Sequence, residues 1–133
     1  MSILEQKAFI SSIHPFQNLS INQLDTFVEN IDIVYFKENE IVQKQDSEPT
    51  HLYFVLKGLI QEKKEDEVLS LYSRNEIFDS ISLIENFSKN SFVTAEETIC
   101  YMLPRDIFIK ILHENTELKK YFFQSISEKL NNS

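Results

Sequence analysis

Residues 78–96, FDSISLIENFSKNSFVTAE, hold the side chains most suited to chemistry. Asp79 and Ser80 precede an apolar set, Ile81, Leu83 and Ile84. They stand where a helix N-cap belongs, because their side-chain oxygens accept from the first unpaired backbone N–H groups. The stretch reads as a short loop, a helix of one to two turns and the start of a strand. A helix N-terminus gathers free N–H donors and the positive end of the peptide dipoles, so the expected chemistry is anion binding.

Other reactive side chains do not assemble into a site at this level. His14, His51 and His113 fall on a loop, a strand start and a helix end, without metal-ligand spacing. Cys100 lies in an apolar run, TICYMLP, and reads as a packed core thiol; a nucleophile would need a base and an electropositive setting. No serine occupies a nucleophile motif such as GxSxG. Acidic pairs such as Glu38 with Glu40 and Glu96 with Glu97 read as solvated turn residues. The chain holds one glycine, Gly58, where average usage gives about nine. Neither a P-loop nor a GxGxxG can be written with it. An enzyme is not expected.

The elements that must position residues 78–96 follow from periodicity. Ser2 with Glu5, and Ser20 with Gln23, are capping-box signatures opening two helices. The second carries Ile21, Leu24, Phe27, Val28 and Ile31 at helical spacing. His14-Pro15-Phe16 separates them. From Ile33 the pattern becomes extended: IVYFKENEIVQKQ turns at Asn39, and HLYFVLKGLIQEKKE bends at Gly58. VLSLYS, SFVTAE and TICYMLP complete a set of short strands, which predicts a small antiparallel sandwich or barrel. Pro104 is placed at the first position of a new helix, with Ile107, Phe108, Ile111 and Leu112 on one face. A last helix over residues 116–130 carries Leu118, Phe122, Ile126 and Leu130 four apart.

At 133 residues, 42% hydrophobic and 26% charged, the chain is expected to be one globular domain. It shows no long apolar run and no basic-then-apolar leader, so neither a membrane span nor a signal peptide is expected. A lone cysteine fits a reducing cytoplasm. Net charge is −8, and the basic pairs Lys63-Lys64 and Lys119-Lys120 are mixed with glutamate, which argues against nucleic acid.

The order of elements, and several stretches, resemble the cyclic nucleotide-binding domain family. HLYFVLKGLI is similar to its strand pair, EIFDSISLIENFSKNSFVTAEE to its phosphate-binding cassette, and TICYMLPRDIFIKIL to the strand and helix that follow. FISSIHPFQNLSINQLDTF is similar to such domains at the head of bacterial signal-transduction proteins with a CBS-domain pair and a nucleotidyltransferase-like region. The resemblance implies a mainly β fold, a double-stranded β-helix or jelly-roll barrel over residues 32–103. Its cassette helix is expected at about 79–86, with N-terminal helices over 1–31 and C-terminal helices over 104–131. Glycines usual at the family's turns are replaced by Asn39, Asp46 and Asn75, the residues that best tolerate left-handed geometry.

In the family's cassette a Phe-Gly-Glu triplet supplies a glutamate for the ribose hydroxyl, and an arginine further on binds the cyclic phosphate. Here the triplet is Phe78-Asp79-Ser80 and the arginine position is Asn90; only Ser91 keeps its family identity. Lys89, one residue off, is expected to point away along its strand. The resemblance therefore implies a regulatory module with a degenerate cassette, no tightly bound cyclic nucleotide and no other cofactor. Asp79 is expected to cap the helix and take a phosphate's electrostatic role within the molecule. The alternative is a sensor for a cyclic nucleotide or another small ligand, its pocket lined by Phe78, Asp79, Ser80, Ile81, Ser82, Asn90, Ser91 and Phe92. Leu118, Tyr121, Phe122, Phe123, Ile126 and Leu130 form the expected contact with a second copy, as in the family, or with a following domain. Three consecutive aromatics cannot all face one core.

Overall fold

The structure, a computed structural model, describes residues 2–131, with side chains to residue 124. The described chain divides into two compact units, residues 31–105 and a helical unit of 2–30 with 106–131.

The first unit is an antiparallel β-sandwich. Its strands are β1 (Asp32–Phe36), β2 (Ile41–Gln43), β3 (His51–Lys57), β4 (Ile60–Lys64), β5 (Glu67–Tyr72), β6 (Ile77–Phe78), β7 (Ser91–Thr94) and β8 (Thr98–Pro104), with helix α3 (Ser80–Glu85) between β6 and β7. One sheet runs β1-β8-β3-β6 and the other β2-β7-β4-β5. Among the described residues the two sheets stay separate, so the jelly-roll reading holds as a sandwich and not as a closed barrel. Its core joins Tyr53 and Val55 of β3, Ile60 of β4, Phe78 of β6, Phe92 of β7 and Cys100 of β8. Burial of this kind explains why β3 reads as a continuous apolar run: Leu52, Tyr53, Phe54 and Val55 are all buried.

Turn chemistry substitutes for the missing glycines. Asn39, Asp46 and Asn75 adopt φ of 63°, 62° and 70°, as do Asp79 and Asn86 at 56° and 60°. Asparagine and aspartate enter this left-handed region most readily among residues with a Cβ. The one glycine is kept where no side chain fits. Gly58 has φ of 106°, and a Cβ there would overlap Thr98 Oγ1 and lie 2.6 Å from the Glu97 carbonyl oxygen. It lets the chain leave β3 and enter β4 of the other sheet.

The helical unit contains α1 (Ile3–Ser12), a 3-10 turn at Phe16–Asn18 and α2 (Ile21–Asn30), then, from its second residue on, α4 (Arg105–Glu114), and α5 (Thr116–Asn131). The capping box at Ser20 forms in full, Ser20 and Gln23 exchanging reciprocal bonds of 3.0 and 3.1 Å, while at Ser2 the helix is capped by the bond from Glu5 N to Ser2 Oγ. Pro104 departs from its expected place. It closes β8, paired opposite His51 of β3, and α4 begins one residue later, with Arg105 N donating to the Thr50 carbonyl at 2.9 Å.

Candidate functional site

Phe78, which reads from sequence as a loop residue, lies in the two-residue strand β6, opposite Tyr53 of β3. The chain then reverses through Asp79 and enters α3. Phe78 stacks between Tyr53, with ring centroids 5.4 Å apart and planes 2° from parallel, and Phe92 at 4.7 Å. Tyr72 packs against both phenylalanines. At 3% and 1% exposure, Phe78 and Phe92 are packed into the sandwich core and do not face open space. Ser80 and Ile81, in the first turn of α3, are half-buried.

Asp79 does not cap α3 in the expected way, since its side chain makes no bond to a helix N–H. N-cap residues hold extended backbone angles that lay the side chain over the second and third amides. The left-handed φ of Asp79 turns the carboxylate elsewhere. It accepts from the Ser82 hydroxyl, from Gln43 Nε2 of β2, and from Ser88 Oγ at 3.1 Å. Ser82 and Ser88 are buried. Burial pushes the Asp79 carboxyl up to about 6; the hydroxyls of Ser82 and Ser88 oppose that rise, the Glu62 charge adds to it, and Gln43 opposes it.

A second carboxylate completes the cluster. Glu62 of β4 accepts from the Tyr72 phenol at 2.8 Å and from Asn90 Nδ2 at 2.6 Å. Burial and the bond to Glu62 push the Tyr72 phenol far above its ordinary value. Ser91 Oγ accepts from the Gln45 backbone N–H at 3.0 Å, and Lys89 is exposed. Among the described residues neither Asp79 nor Glu62 has a cationic side chain within ion-pair distance. The site thus brings Asp79, Ser82 and Asn90 into one hydrogen-bonded region. Its other members, Gln43, Glu62, Tyr72 and Ser88, were not singled out from sequence. Their placement depends on the pairing of β2 and β4 with β7, where Glu62 lies opposite Phe92.

A cleft of about 330 Å³ lies elsewhere in this unit, lined by Tyr35, Phe36, Lys37, Lys57 and residues 97–99. None of the eight expected pocket residues lines it. Cys100 is buried and its thiol is pushed up to about 12 by desolvation, as a packed core thiol would be.

Two of the residues expected to make the α5 contact are turned inward. Leu118 and Phe122 are buried within the helical unit, Phe122 lying edge-on to Phe108 at 5.4 Å and against Phe16 at 6.3 Å. They are therefore packing residues of α5. Tyr121 meets the His14 ring edge-on at 4.8 Å, and Phe123 is 48% exposed. The Ile126 and Leu130 side chains lie outside the described residues. No helix among the described residues is long and apolar enough to cross a membrane.

A family model, the cyclic nucleotide-binding domain, matches residues 33–115, more than half of the chain. The potassium channel KAT2 of Oryza sativa subsp. japonica is 22% identical over 127 residues. That alignment takes in 92% of this chain but 21% of the channel, so the chain spans about a fifth of that relative. Among solved structures, the sensor domain of the transcriptional regulator DNR from Pseudomonas aeruginosa superposes with a TM-score of 0.82 at 16% identity, covering 93% of this chain and 92% of that one. The regulatory domain of Toxoplasma gondii PKA, co-crystallised with cAMP, superposes with a TM-score of 0.75 at 17% identity, covering 82% and 44%. At such identities these two likenesses show the fold alone.

Proposed function

This chain belongs to the cyclic nucleotide-binding domain family, and we propose that it is a regulatory, non-enzymatic module whose cassette no longer holds cAMP or cGMP tightly. It works through association or conformational coupling. The observation that carries this reading is the engagement of the Asp79 carboxylate by Gln43, Ser82 and Ser88. A negative charge already occupies the cassette turn, and an approaching phosphate would meet it without a compensating cation. Asn90, at the position where the family resemblance places an arginine, is turned to Glu62. Each charge-assisted contact of that kind contributes about 1.5–3 kcal/mol. Lacking two of them lowers affinity by roughly a hundred- to ten-thousand-fold.

The exposed aromatic Phe123 on α5 supports contact with a second copy or a following domain. Similarity of the opening residues to the head domains of bacterial signal-transduction proteins supports a place in such a protein in the cytoplasm, and the net charge of −8 argues against nucleic acid as a partner. Thermal unfolding with and without millimolar cAMP or cGMP tests the nucleotide claim. Ligand at a hundred times its dissociation constant stabilises by about 2.7 kcal/mol, an effect of several degrees. An unchanged midpoint is the expected result; a clear rise restores the sensor reading.

A further inference from the structure

Three oxygens lie in sequence at the cassette: Asp79 Oδ2, Ser88 Oγ and the Asn90 carbonyl, separated by 3.1 and 2.8 Å. Both gaps are hydrogen-bond distances, yet the Ser88 hydroxyl has one proton to place in them. Gln43 Nε2 cannot relieve the shortage, because it donates to Ser88 Oγ, at 2.9 Å, and to Asp79 Oδ2. With Asp79 ionised, the serine proton serves the carboxylate or the Asn90 carbonyl, and one gap stays unfilled. With a proton from solvent on Asp79 Oδ2, the carboxyl donates to Ser88 Oγ, and Ser88 donates to Asn90. Both gaps then close, while Ser82 still donates to Asp79 Oδ1.

We infer that Asp79, Ser88 and Asn90 form a proton-operated latch, in which uptake of one proton by Asp79 ties the entry of α3 to the start of β7. The latch has firm anchorage. Ser88 is held to the loop after β2 by backbone bonds, Asp46 N to Ser88 O at 2.7 Å and Ser88 N to Ser47 O at 2.8 Å. Its titrating environment is one-sided. Glu62 from β4 faces Asp79 with its negative charge, and Tyr72 from β5 stays neutral because burial and Glu62 raise it. β2 contributes the neutral Gln43, and α3 with its following turn the neutral Ser82 and Ser88. Arg105 donates its Nε–H to the Leu83 carbonyl in α3 at 2.7 Å. The raised proton affinity of Asp79 has the direction the latch requires.

The latch rests on the reading that the cassette is closed by its own side chains, and the test separates the two. In the full chain, the Asp79 carboxyl and Asn90 carbonyl carbon resonances are followed by NMR between pH 4 and 8. Both should titrate together, with a midpoint about two units above that of an ordinary aspartate. Ser88→Ala should abolish the response at Asn90, and Asp79→Asn should hold the Asn90 carbonyl at its acid-limit position at every pH, because the introduced amide donates to Ser88. An Asp79 that titrates alone, or an Asn90 response that survives Ser88→Ala, overturns the latch. If Ser88→Ala does not fold, Asp79→Asn decides by itself: an Asn90 carbonyl left at its alkaline-limit position overturns the latch. Tight nucleotide binding at neutral pH would instead remove the underlying reading of the cassette, with or without a titrating Asp79.

Discussion

The Asn90 side-chain amide donates to Glu62 Oε2 at 2.6 Å, so the position where the family resemblance implies a phosphate-binding arginine faces a carboxylate of the protein itself. Restoring nucleotide binding therefore takes one change more than the cassette residues alone indicate. Asp79→Gly, Ser80→Glu and Asn90→Arg together should still bind weakly, because the introduced guanidinium pairs with Glu62. Adding Glu62→Gln should tighten cAMP or cGMP binding by roughly a hundred- to ten-thousand-fold over wild type, read by calorimetric titration. Equal affinities of the triple and quadruple variants would show that Glu62 does not compete.

Asp79 should also set a pH dependence of stability. Its carboxyl is raised from an ordinary 3.8 to about 6 in the folded chain, so the folded state binds the proton more tightly than the unfolded one. The resulting stabilisation is fully present below about pH 4 and is lost as pH rises through about 6. A shift of that size corresponds to on the order of 2–3 kcal/mol. Asp79→Asn, tolerated at positive φ, should be more stable than wild type by about that amount at pH 7, and the difference should shrink as pH falls and vanish below about pH 3. Urea melts at several pH values measure it; a difference independent of pH would refute the assignment.

Much of the sandwich was legible because burial on both faces writes itself into β3 and β8 as apolar runs, and because Asn39, Asp46 and Asn75 are the residues that left-handed turns accept. The helix caps at Ser2 and Ser20 were legible for the same local reason. The site was legible only in part. Asp79 and Asn90 could be found by position in the chain, but Glu62 reaches Asn90 through the pairing of β4 with β7, and Gln43 reaches Asp79 from β2. Non-local register of this kind has no signature in a run of neighbouring residues. Likewise, the row Tyr121-Phe122-Phe123 showed that one aromatic must face outward, while which one depends on where Phe16 and Phe108 pack.

Phe78 is held by rings on both sides, so its removal leaves a cavity that stacked neighbours cannot easily fill. Phe78→Ala should destabilise the chain by about 3–5 kcal/mol, measured by urea unfolding. A loss below about 1 kcal/mol would mean that Tyr53 and Phe92 collapse onto one another.

The two adjacent aromatics of α5 should respond differently to charge. Phe122→Glu places a carboxylate in a buried site between Phe16 and Phe108 and should prevent stable folding. Phe123→Glu should leave stability within about 0.5 kcal/mol and weaken self-association, read as a lower mass by analytical ultracentrifugation. An unchanged oligomeric state in Phe123→Glu would move the contact away from this face.

Calorimetric titration of the wild-type chain with cAMP and cGMP at neutral pH tests the central claim most directly. No saturable heat is expected up to millimolar ligand, because Asp79 carries a charge at this turn and Asn90 is committed to Glu62. A one-to-one isotherm with a micromolar dissociation constant would contradict it and make the chain a nucleotide sensor.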